Sequence, residues 1–366
     1  MNDSDFIVIG GGMAGASAAY FLAAESSVTV LEMENQPGYH TTGRSAALYT
    51  EAYGNATIPA LITGGRPFFM VPPDGFTDHT ILTPRGALFI GRADQLDALD
   101  RTAEEAGKLI DGIHRLDGAA ARDIVPALKA DYVAGAVHEP DAMDIGVDAL
   151  HQGFLRGVRA RGGDVVTDAE VLGLAWTGDA WQVDCRDGTL RAGILVNAVG
   201  AWCDQVAALA GAAPVGLVPK RRTAIETWPL CVDVDEQFYF KPDAGRLIGS
   251  PADETSMPPC DVQPEELDVA IAVERIETAT TMKIAHIARR WADLRSFVAD
   301  KTPVVGFDPA LPSFFWLAGQ GGYGIQTAPS MGQMTAALAT EQGVPAHLAD
   351  LAVTMDALTP GRFSGA

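Results

Sequence analysis

The sequence predicts a mixed α/β (α+β) fold in which a discontinuous Rossmann-like domain is combined with a β-rich, antiparallel second domain. Three observations support it. The chain opens with a strand, a glycine turn, a helix and a second strand. A buried strand and a second glycine turn come near residues 195 and 320, and short strands fill much of the chain between. We expect residues 1–80, 146–213 and 297–366 in the first domain, and 81–145 and 214–296 in the second.

The first elements form a βαβ unit. Residues 6–9 are a short apolar run, residues 13–24 have helical character, and residues 28–31 are largely β-branched, as buried parallel strands tend to be. Two consecutive strands joined through a helix require a right-handed crossover. This unit therefore predicts a doubly wound, mainly parallel sheet.

The later elements follow from apolar runs and amphipathic stretches. Strands are expected over short apolar or alternating runs, at residues 87–90, 132–137, 165–167, 171–176, 181–185, 194–198 and 314–317. Helices are expected at residues 95–108, 148–161, 202–209, 265–280 and from about residue 326. Residues 217–250 are expected to form antiparallel strands, because polar and apolar residues alternate at 237–241.

Composition and charge exclude several classes of protein. Hydrophobic residues make up 48% of the 366 residues, which excludes a disordered chain. Lys and Arg total 26 against 47 Asp and Glu, giving a formal net charge of −21. Sequence-blind binding to nucleic acid depends on basic residues, so no nucleic-acid partner is expected.

The cysteines and the N-terminus indicate a cytoplasmic protein without a membrane span. The four cysteines form no C-x-x-C metal or redox motif, and four scattered cysteines in a chain of this length favour a reducing compartment. Residues 6–24 carry no charge and have about the length of a membrane helix. However, Asp3 and Asp5 precede them where a signal peptide has basic residues, and four glycines interrupt them. A strand–turn–helix is the better interpretation.

A glycine motif lies between the first strand and the first helix. Gly10, Gly12 and Gly15 form G-x-G-x-x-G, and Glu32 follows Gly10 by 22 positions, at the end of the second strand. The glycines permit, in turn, a tight turn, backbone approach to a pyrophosphate and close helix–strand packing. Glu32 can accept hydrogen bonds from ribose hydroxyls. The motif predicts a dinucleotide site, argues against NADP because of the carboxylate, and leaves FAD and NAD open.

Seven further segments carry a resemblance to a known family. The chain resembles FAD-dependent D-amino acid dehydrogenases of the D-arginine dehydrogenase type, within the D-amino acid oxidase and glycine oxidase superfamily. The matching segments are GYHTTGRSAA (38–47), DALHQG (148–153), LVNAVGAWCD (195–204), PKRR (219–222), FYFKPDAG (238–245), WADLRSFVAD (291–300) and QGGYGIQT (320–327).

The resemblance implies a discontinuous FAD domain, a β-rich substrate domain and non-covalent FAD, since the last cysteine is Cys260. It implies FAD contacts from Gly10, Gly12, Met13, Ala14, Gly15, Glu32, Thr42, Arg44, Ser45, Ala46, Ala47, Val171, Ala198, Trp202, Gly321, Gly322, Tyr323, Gly324, Ile325 and Gln326. The turn at 321–326 would aim a helix N-terminus at the charge that develops on the reduced flavin. An ordinary glycine turn is the alternative there.

The resemblance also implies oxidation of an amino acid to a 2-oxo acid and ammonia, through hydride transfer from Cα to flavin. Arg222 and Arg295 match the positions that bind the substrate carboxylate, a task suited to a planar guanidinium. Tyr53 and Tyr239 match tyrosines that position the same end, and the carbonyl of Gly322 matches the acceptor for the amine. Taken alone, Arg222 lies in a basic run typical of a solvated face, and either tyrosine fits a packing role.

Two departures from the family bear on specificity. Arginine-preferring relatives carry a carboxylate where this chain has Ala87 and a histidine where it has Leu48. With Thr50, these residues are expected to line the side-chain pocket, so neutral or apolar D-amino acids are expected to be preferred to D-Arg.

Other functions stay open at this point. The main alternative is a glycine- or sarcosine-oxidase-like flavin amine oxidase that uses oxygen; an NAD-dependent dehydrogenase and a non-catalytic nucleotide-binding protein are others. The seven histidines form no i, i+4 pair, so no metal is expected, and we find no compelling general base. The expected partners are an amino acid substrate and an unidentified electron acceptor.

Overall fold

A computed structural model describes residues 3–51, 54–55, 57–108, 110–186, 188–226, 230–243, 246–311 and 313–363. The strands are β1 (Asp3–Ile9), β2 (Val28–Leu31), β3 (Leu48–Tyr49), β4 (Leu82–Pro84), β5 (Ala87–Gly91), β6 (His114–Asp117), β7 (Gly135–Glu139), β8 (Met143–Ile145), β9 (Asp164–Val166), β10 (Val171–Trp176), β11 (Trp181–Cys185), β12 (Gly188–Asn197), β13 (Val218–Glu226), β14 (Leu230–Asp233), β15 (Tyr239–Asp243), β16 (Arg246–Ser250), β17 (Trp291–Phe297), β18 (Val304–Phe307) and β19 (Phe314–Ala318).

The α-helices are α1 (Met13–Leu22), α2 (Thr57–Met70), α3 (Leu96–Gly107), α4 (Gly118–Ile124), α5 (Val147–Ala160), α6 (Cys203–Ala210), α7 (Glu266–Ala279), α8 (Ala328–Ala339), α9 (Ala346–Ala349) and α10 (Met355–Leu358). The uncharged residues 6–24 thus form most of β1 and all of α1. Across the described ranges, no helix is long and apolar enough to cross a bilayer.

The first sheet is built around the N-terminal βαβ unit. Its strands run in the order β10-β11-β12-β1-β2-β9, and β19 pairs with the end of β12 and with β18. Strand β1 is parallel to both neighbours, so that Ile9 lies beside Leu31 on one side and Asn197 on the other. The carboxyl ends of β1, β2 and β12 therefore meet at one edge, where ligands bind in open α/β sheets.

Both faces of β1 are buried. Phe6 and Val8 pack with helices α1, α5 and α8, while Ile7 and Ile9 pack with the core beneath Trp181 and Trp316. Burying each large apolar side chain stabilises the fold by roughly 1.5–3 kcal/mol. Because neither face is solvated, the strand reads as a continuous apolar run rather than as an alternating one.

The second sheet runs in the order β17-β13-β16-β15-β14-β5-β7-β6, and a small sheet joins β3, β8 and β4. Most pairs in the second sheet are antiparallel, as expected, but β14 runs parallel to β5, with Leu230 beside Ala87. These two strands belong to distant stretches of the chain, so no hairpin sets their direction. The mixed α/β fold is confirmed; the exact domain boundaries stay a prediction.

Candidate functional site

The glycine loop between β1 and α1 has a distinct structural reason for each glycine. Gly10 has φ +103°, and a Cβ there would lie 2.6 Å from the carbonyl oxygen of Ala198. A Cβ on Gly15 would overlap the carbonyl oxygen of Gly10 and lie 3.2 Å from Val8 Cγ1. Gly12 differs: its φ is −72°, and its nearest neighbour would be 3.4 Å away. Gly10 and Gly15 thus shape the loop, whereas Gly12 leaves room for a ligand.

Glu32 ties the end of β2 to this loop. Its Oε2 accepts a hydrogen bond from the backbone N–H of Gly11 at 3.0 Å, and its Oε1 accepts one from Glu34 at 3.0 Å. Burial raises the pKa of the Glu32 carboxyl, and the two backbone donors oppose that rise. The carboxylate both supports the loop and lines the cavity beside it.

Thr42 and His151 hold the loop from the other side. The backbone N–H of Met13 donates to Thr42 Oγ1 at 2.9 Å, and His151 Nε2 lies 2.8 Å from the carbonyl oxygen of Gly11. Burial lowers the pKa of His151, so its ring is neutral and donates Nε2–H to that carbonyl. The sequence motif did not identify His151 as a supporting residue, because the contact spans 140 positions.

A long cavity of 410 Å³ starts at the glycine loop and reaches the turn at residues 320–325. Predicted cofactor residues on its wall are Gly10, Gly12, Met13, Ala14, Glu32, Thr42, Ser45, Val171, Ala198, Trp202, Gly321, Gly322, Gly324 and Ile325. The first turn of α1 has no acidic residue and a glycine N-cap, and although the Met13 N–H is bonded to Thr42, the next N–H groups and the positive dipole end suit an anionic group. An elongated dinucleotide with a central diphosphate fits this arrangement.

A second cavity of 110 Å³ adjoins the first. The two share four wall residues, Ser45, Arg295, Gly322 and Ile325. The smaller cavity is also lined by predicted residues Ala46, Ala47, Leu48, Thr50, Arg222, Tyr239 and Gln326, and by Phe89, Leu230, Val232, Glu236, Phe238 and Ala252. Two guanidinium groups thus enter a small, mainly apolar space.

Arg222 belongs to this cavity and not to a solvated basic face. Arg222 on β13 is 5% exposed, and its Nε has no hydrogen-bond partner among the described residues. Its Nη2 lies 3.5 Å from Glu254. The neighbouring Arg221 points to the other face of the sheet and pairs with carboxylates on Asp253, Glu265 and Asp268. Strand alternation therefore separates a structural arginine from a cavity arginine.

Thr50 lines the small cavity and separates it from the buried carboxyl of Glu139. Its Oγ1 donates to Glu139 Oε2 at 2.7 Å, and Glu139 is 3% exposed. Burial raises the pKa of Glu139 to about 7. Ala87 is the register partner of Glu139 and does not line either cavity; Phe89, two residues along the same face of β5, does.

Three other predicted residues also lie off the cavity walls. Gly15 packs under the loop, and Tyr323 is buried in the core. The guanidinium of Arg44 donates to the carbonyls of Val262 and Ala292 and pairs with Asp261, linking its segment to the second sheet. Tyr53 lies outside the described residues.

The cavity walls also include groups not predicted from the sequence. Phe238 belongs to the run at 237–241 that alternates in polarity, a signal that could have identified it, whereas Phe89 lies in a continuous apolar run at 87–91 that does not show which side chains face a cavity. Asp293 lines the long cavity; burial raises its pKa to about 6, and the nearby Arg295 and Arg222 oppose that rise. In the described part of the chain, no cluster of His, Cys, Asp or Glu has the arrangement of a metal site.

The fold and the cavity define a dinucleotide-binding α/β protein, and comparisons place it further. The model of the family "FAD dependent oxidoreductase" matches residues 5–338. The chain therefore belongs to this family and is an oxidoreductase that binds FAD. This excludes the alternative of an NAD-dependent dehydrogenase.

Individual relatives are distant. The sarcosine oxidase subunit beta of Rhizobium meliloti (strain 1021) is 28% identical over 228 residues, which are 57% of this chain, and the match spans only about half (52%) of that relative. Glycine oxidase from Bacillus licheniformis is 24% identical over 91% of this chain and 92% of that protein. The structure of L-proline dehydrogenase from P. horikoshii has a TM-score of 0.84 at 22% identity, covering 99% of this chain and 98% of that one.

Proposed function

We propose that this chain oxidises the Cα–N bond of D-amino acids with neutral or apolar side chains, giving a 2-oxo acid and ammonia after hydrolysis of the imine. The observation that carries the proposal is the shared wall: the small cavity with two arginines has Ser45, Arg295, Gly322 and Ile325 in common with the long cavity. An amino acid held there would lie beside the flavin end of the cofactor.

The residues of the long cavity would hold FAD without a covalent bond. Gly12 and the N-terminus of α1 would face the diphosphate, and Glu32 would accept from the adenosine ribose. Bound FAD supplies a two-electron acceptor for the hydride that leaves Cα. Cys260 does not line either described cavity, which supports non-covalent binding.

The arginines would fix the acid end of the substrate. Arg222 is buried and its Nε is unsatisfied among the described residues, so a substrate carboxylate would provide the missing acceptor. Arg295 belongs to both cavities and would bind the same group from the flavin side. Charge-assisted, bidentate bonds in a dry site are strong and directional. Tyr239 would add a hydroxyl donor, and the Gly322 carbonyl would accept from the amine.

The remaining wall favours an uncharged side chain. Leu48, Phe89 and Leu230 are apolar, and the hydroxyl of Thr50 separates Glu139 from the cavity. Glu236 is the carboxylate on the wall, and it is exposed to solvent, where a charge pair is weak. We therefore keep the preference for neutral D-amino acids over D-Arg, within the D-arginine dehydrogenase type of the family and a cytoplasmic setting.

A second candidate is oxidation of glycine or an N-methyl amino acid with oxygen as acceptor. Two of the relatives, glycine oxidase and the sarcosine oxidase subunit, favour it by their names. The volume of the second cavity, 110 Å³, suits these small substrates as well as it suits a neutral D-amino acid.

Anaerobic mixing of the yellow holoenzyme with a substrate panel tests both candidates. The panel contains D-Met, D-Leu, D-Phe, D-Arg, L-Leu, glycine and sarcosine, and bleaching of the flavin absorbance is followed. We expect fast bleaching by the neutral D-amino acids. A clear lead for D-Arg contradicts the side-chain assignment, and a lead for glycine or sarcosine selects the second candidate. Repeating the reaction in air with peroxide detection separates oxidase from dehydrogenase.

A further inference from the structure

Strand β17 presents two charged side chains to the cofactor cavity. Asp293 and Arg295 are two positions apart and so share one face of the sheet, and both line the long cavity. Leu294, between them, also contributes to the wall of the long cavity, and with the preceding Ala292 it packs in a small apolar cluster with Ala201. The backbone of β17 is thus anchored from behind, which fixes the direction of Asp293.

The carboxyl of Asp293 is buried and incompletely bonded. The side chain is 7% exposed, and its Oδ1 has no hydrogen-bond partner among the described residues. Arg222 lies directly opposite on β13, yet its Nη2 is directed at Glu254, 3.5 Å away. A buried carboxyl oxygen is normally satisfied, so one left open toward a ligand cavity calls for a ligand group.

The position of Asp293 selects the flavin end of the cofactor. Asp293 lines the long cavity together with Ser296 and with Arg295, and Arg295 also lines the substrate cavity. Asp293 itself is not on the wall of the smaller cavity. Its carboxyl therefore belongs to the part of the long cavity that adjoins the substrate site, on the cofactor side.

We propose that Asp293 contacts the isoalloxazine portion of bound FAD and lowers its reduction potential. Reduction adds negative charge to the ring, and a carboxylate facing it in a site of low dielectric disfavours that charge. Arg295, on the same face of β17, acts in the opposite direction. The flavin reduction potential thus depends on the opposing effects of the Asp293 carboxylate and the Arg295 guanidinium. The placement of the isoalloxazine beside Asp293 rests on the proposed substrate cavity, but the test below uses no substrate, so its failure is distinguishable from a failure of the proposed function.

The test compares Asp293→Asn with wild type by redox titration of the purified, FAD-loaded proteins without substrate. Removing the charge while keeping the shape should raise the midpoint potential. We expect at least a tenfold change in the ratio of oxidised to two-electron-reduced flavin at a fixed potential, which is about 30 mV for a two-electron couple. Asp293→Ser, which removes the charge with a smaller side chain, should shift the potential in the same direction.

Asp268→Asn is the matched control. Asp268 is also a buried carboxyl, but it pairs with Arg221 on the opposite face of the sheet and does not line the long cavity. The flavin midpoint potential of the Asp268→Asn protein should equal that of the wild type. A midpoint potential unchanged in both Asp293 variants, or an equal shift in the Asp268 variant, overturns the proposal. If Asp293→Asn does not fold, Asp293→Ser replaces it as the uncharged variant. Asp293→Glu retains the charge and should keep the low midpoint potential of the wild type.

Discussion

The variants Gly10→Ala and Gly12→Ala distinguish the two functions of the glycine loop, which are to form a tight turn and to leave room for FAD. Gly10 has a positive φ of +103°, and a Cβ there would lie 2.6 Å from the Ala198 carbonyl oxygen. Gly12 has a φ of −72° that any residue adopts, and its Cβ would have its nearest neighbour at 3.4 Å. Both glycines line the long cavity. The two variants should therefore differ in the stability of the apoprotein and agree in weakened FAD binding.

The magnitudes follow from these geometries. Real Cβ atoms stay at least 3.0 Å from other heavy atoms, so Gly10→Ala needs a shift of 0.4 Å between the residue that follows β1 and the Ala198 backbone, which follows β12. Strained backbone costs about 1–3 kcal/mol and overpacking about as much again, so the free energy of unfolding should fall by about 2–6 kcal/mol. Gly12→Ala meets no such contact, and restricting the unfolded chain should raise the free energy of unfolding by about 0.4–1 kcal/mol.

Two measurements on the apoproteins decide the outcome: urea denaturation, and FAD titration followed by quenching of flavin fluorescence. We expect Gly12→Ala to keep or gain stability while its FAD dissociation constant rises about tenfold or more, because the methyl group occupies cofactor space and weakens charge-assisted bonds to N–H groups. Wild-type FAD affinity in Gly12→Ala refutes the assignment of Gly12 to the ligand. Equal destabilisation by both alanines refutes the structural distinction.

Three further predictions concern the surrounding site. Arg222→Ala should raise the KM for the substrate by about tenfold to a hundredfold with FAD affinity unchanged, whereas Arg290→Ala, a half-exposed arginine just before β17, should change neither; equal KM values for the two variants contradict the carboxylate role. Burial raises the pKa of Glu139 from 4.5 to about 7, so the stability from its retained proton is full below pH 4.5 and lost as pH rises through 7. The free energy of unfolding of Glu139→Gln, measured by urea denaturation, should therefore rise by about 3 kcal/mol relative to that of the wild type between pH 4.5 and 8. A difference between the two proteins that does not change with pH would show that Glu139 titrates normally. His151→Leu removes the donor to the Gly11 carbonyl and should lower the free energy of unfolding by about 1–3 kcal/mol and weaken FAD binding, as measured by the same titration; an unaltered variant excludes the supporting role.

Much of the fold follows from local patterns in the sequence. The predicted strands at 171–176 and 181–185 coincide with β10 and β11, and the predicted helix at 265–280 differs from α7 by one residue at each end. Strand β11 alternates between apolar and polar residues, β10 is a short apolar run, and α7 is a long stretch without glycine or proline. The spacing of the glycine motif likewise predicts the loop and the position of Glu32 at the end of β2, because both depend on neighbouring strands of one βαβ unit. The bond from the Gly11 N–H to Glu32 was not predicted.

Helix α2 shows where local patterns fail. It contains Gly64, Gly65 and Pro67, all poor helix formers, and the sequence predicts no helix there. Tertiary packing stabilises it instead: a Cβ on Gly65 would lie 3.1 Å from Ser330 Oγ, and Ser330 donates to the carbonyl of Leu61 at 2.6 Å. The glycines allow close approach of α8, a contact 269 positions away that no window of sequence contains.

Long-range partners also explain the differences at the site. A short motif does not reveal that Arg44 contacts Val262 and Asp261, or that Ala87 is paired with Glu139 behind Thr50. Both facts depend on the register between segments far apart in the chain. The roles of Arg222 and Arg295, in contrast, were predicted from a resemblance, and their place on the cavity walls supports the proposal built on them.

The order of strands in the first sheet has a consequence for biosynthesis. Ile9 acquires its second parallel neighbour, Asn197, only after 188 further residues have been synthesised, which takes roughly 10–40 s on the ribosome. Until then one edge of the nascent βαβ unit has unpaired backbone groups. The turn at 320–325 completes the wall of the long cavity later still. The complete wall of the FAD cavity therefore exists only after the turn at 320–325 has been synthesised and has packed against the first βαβ unit.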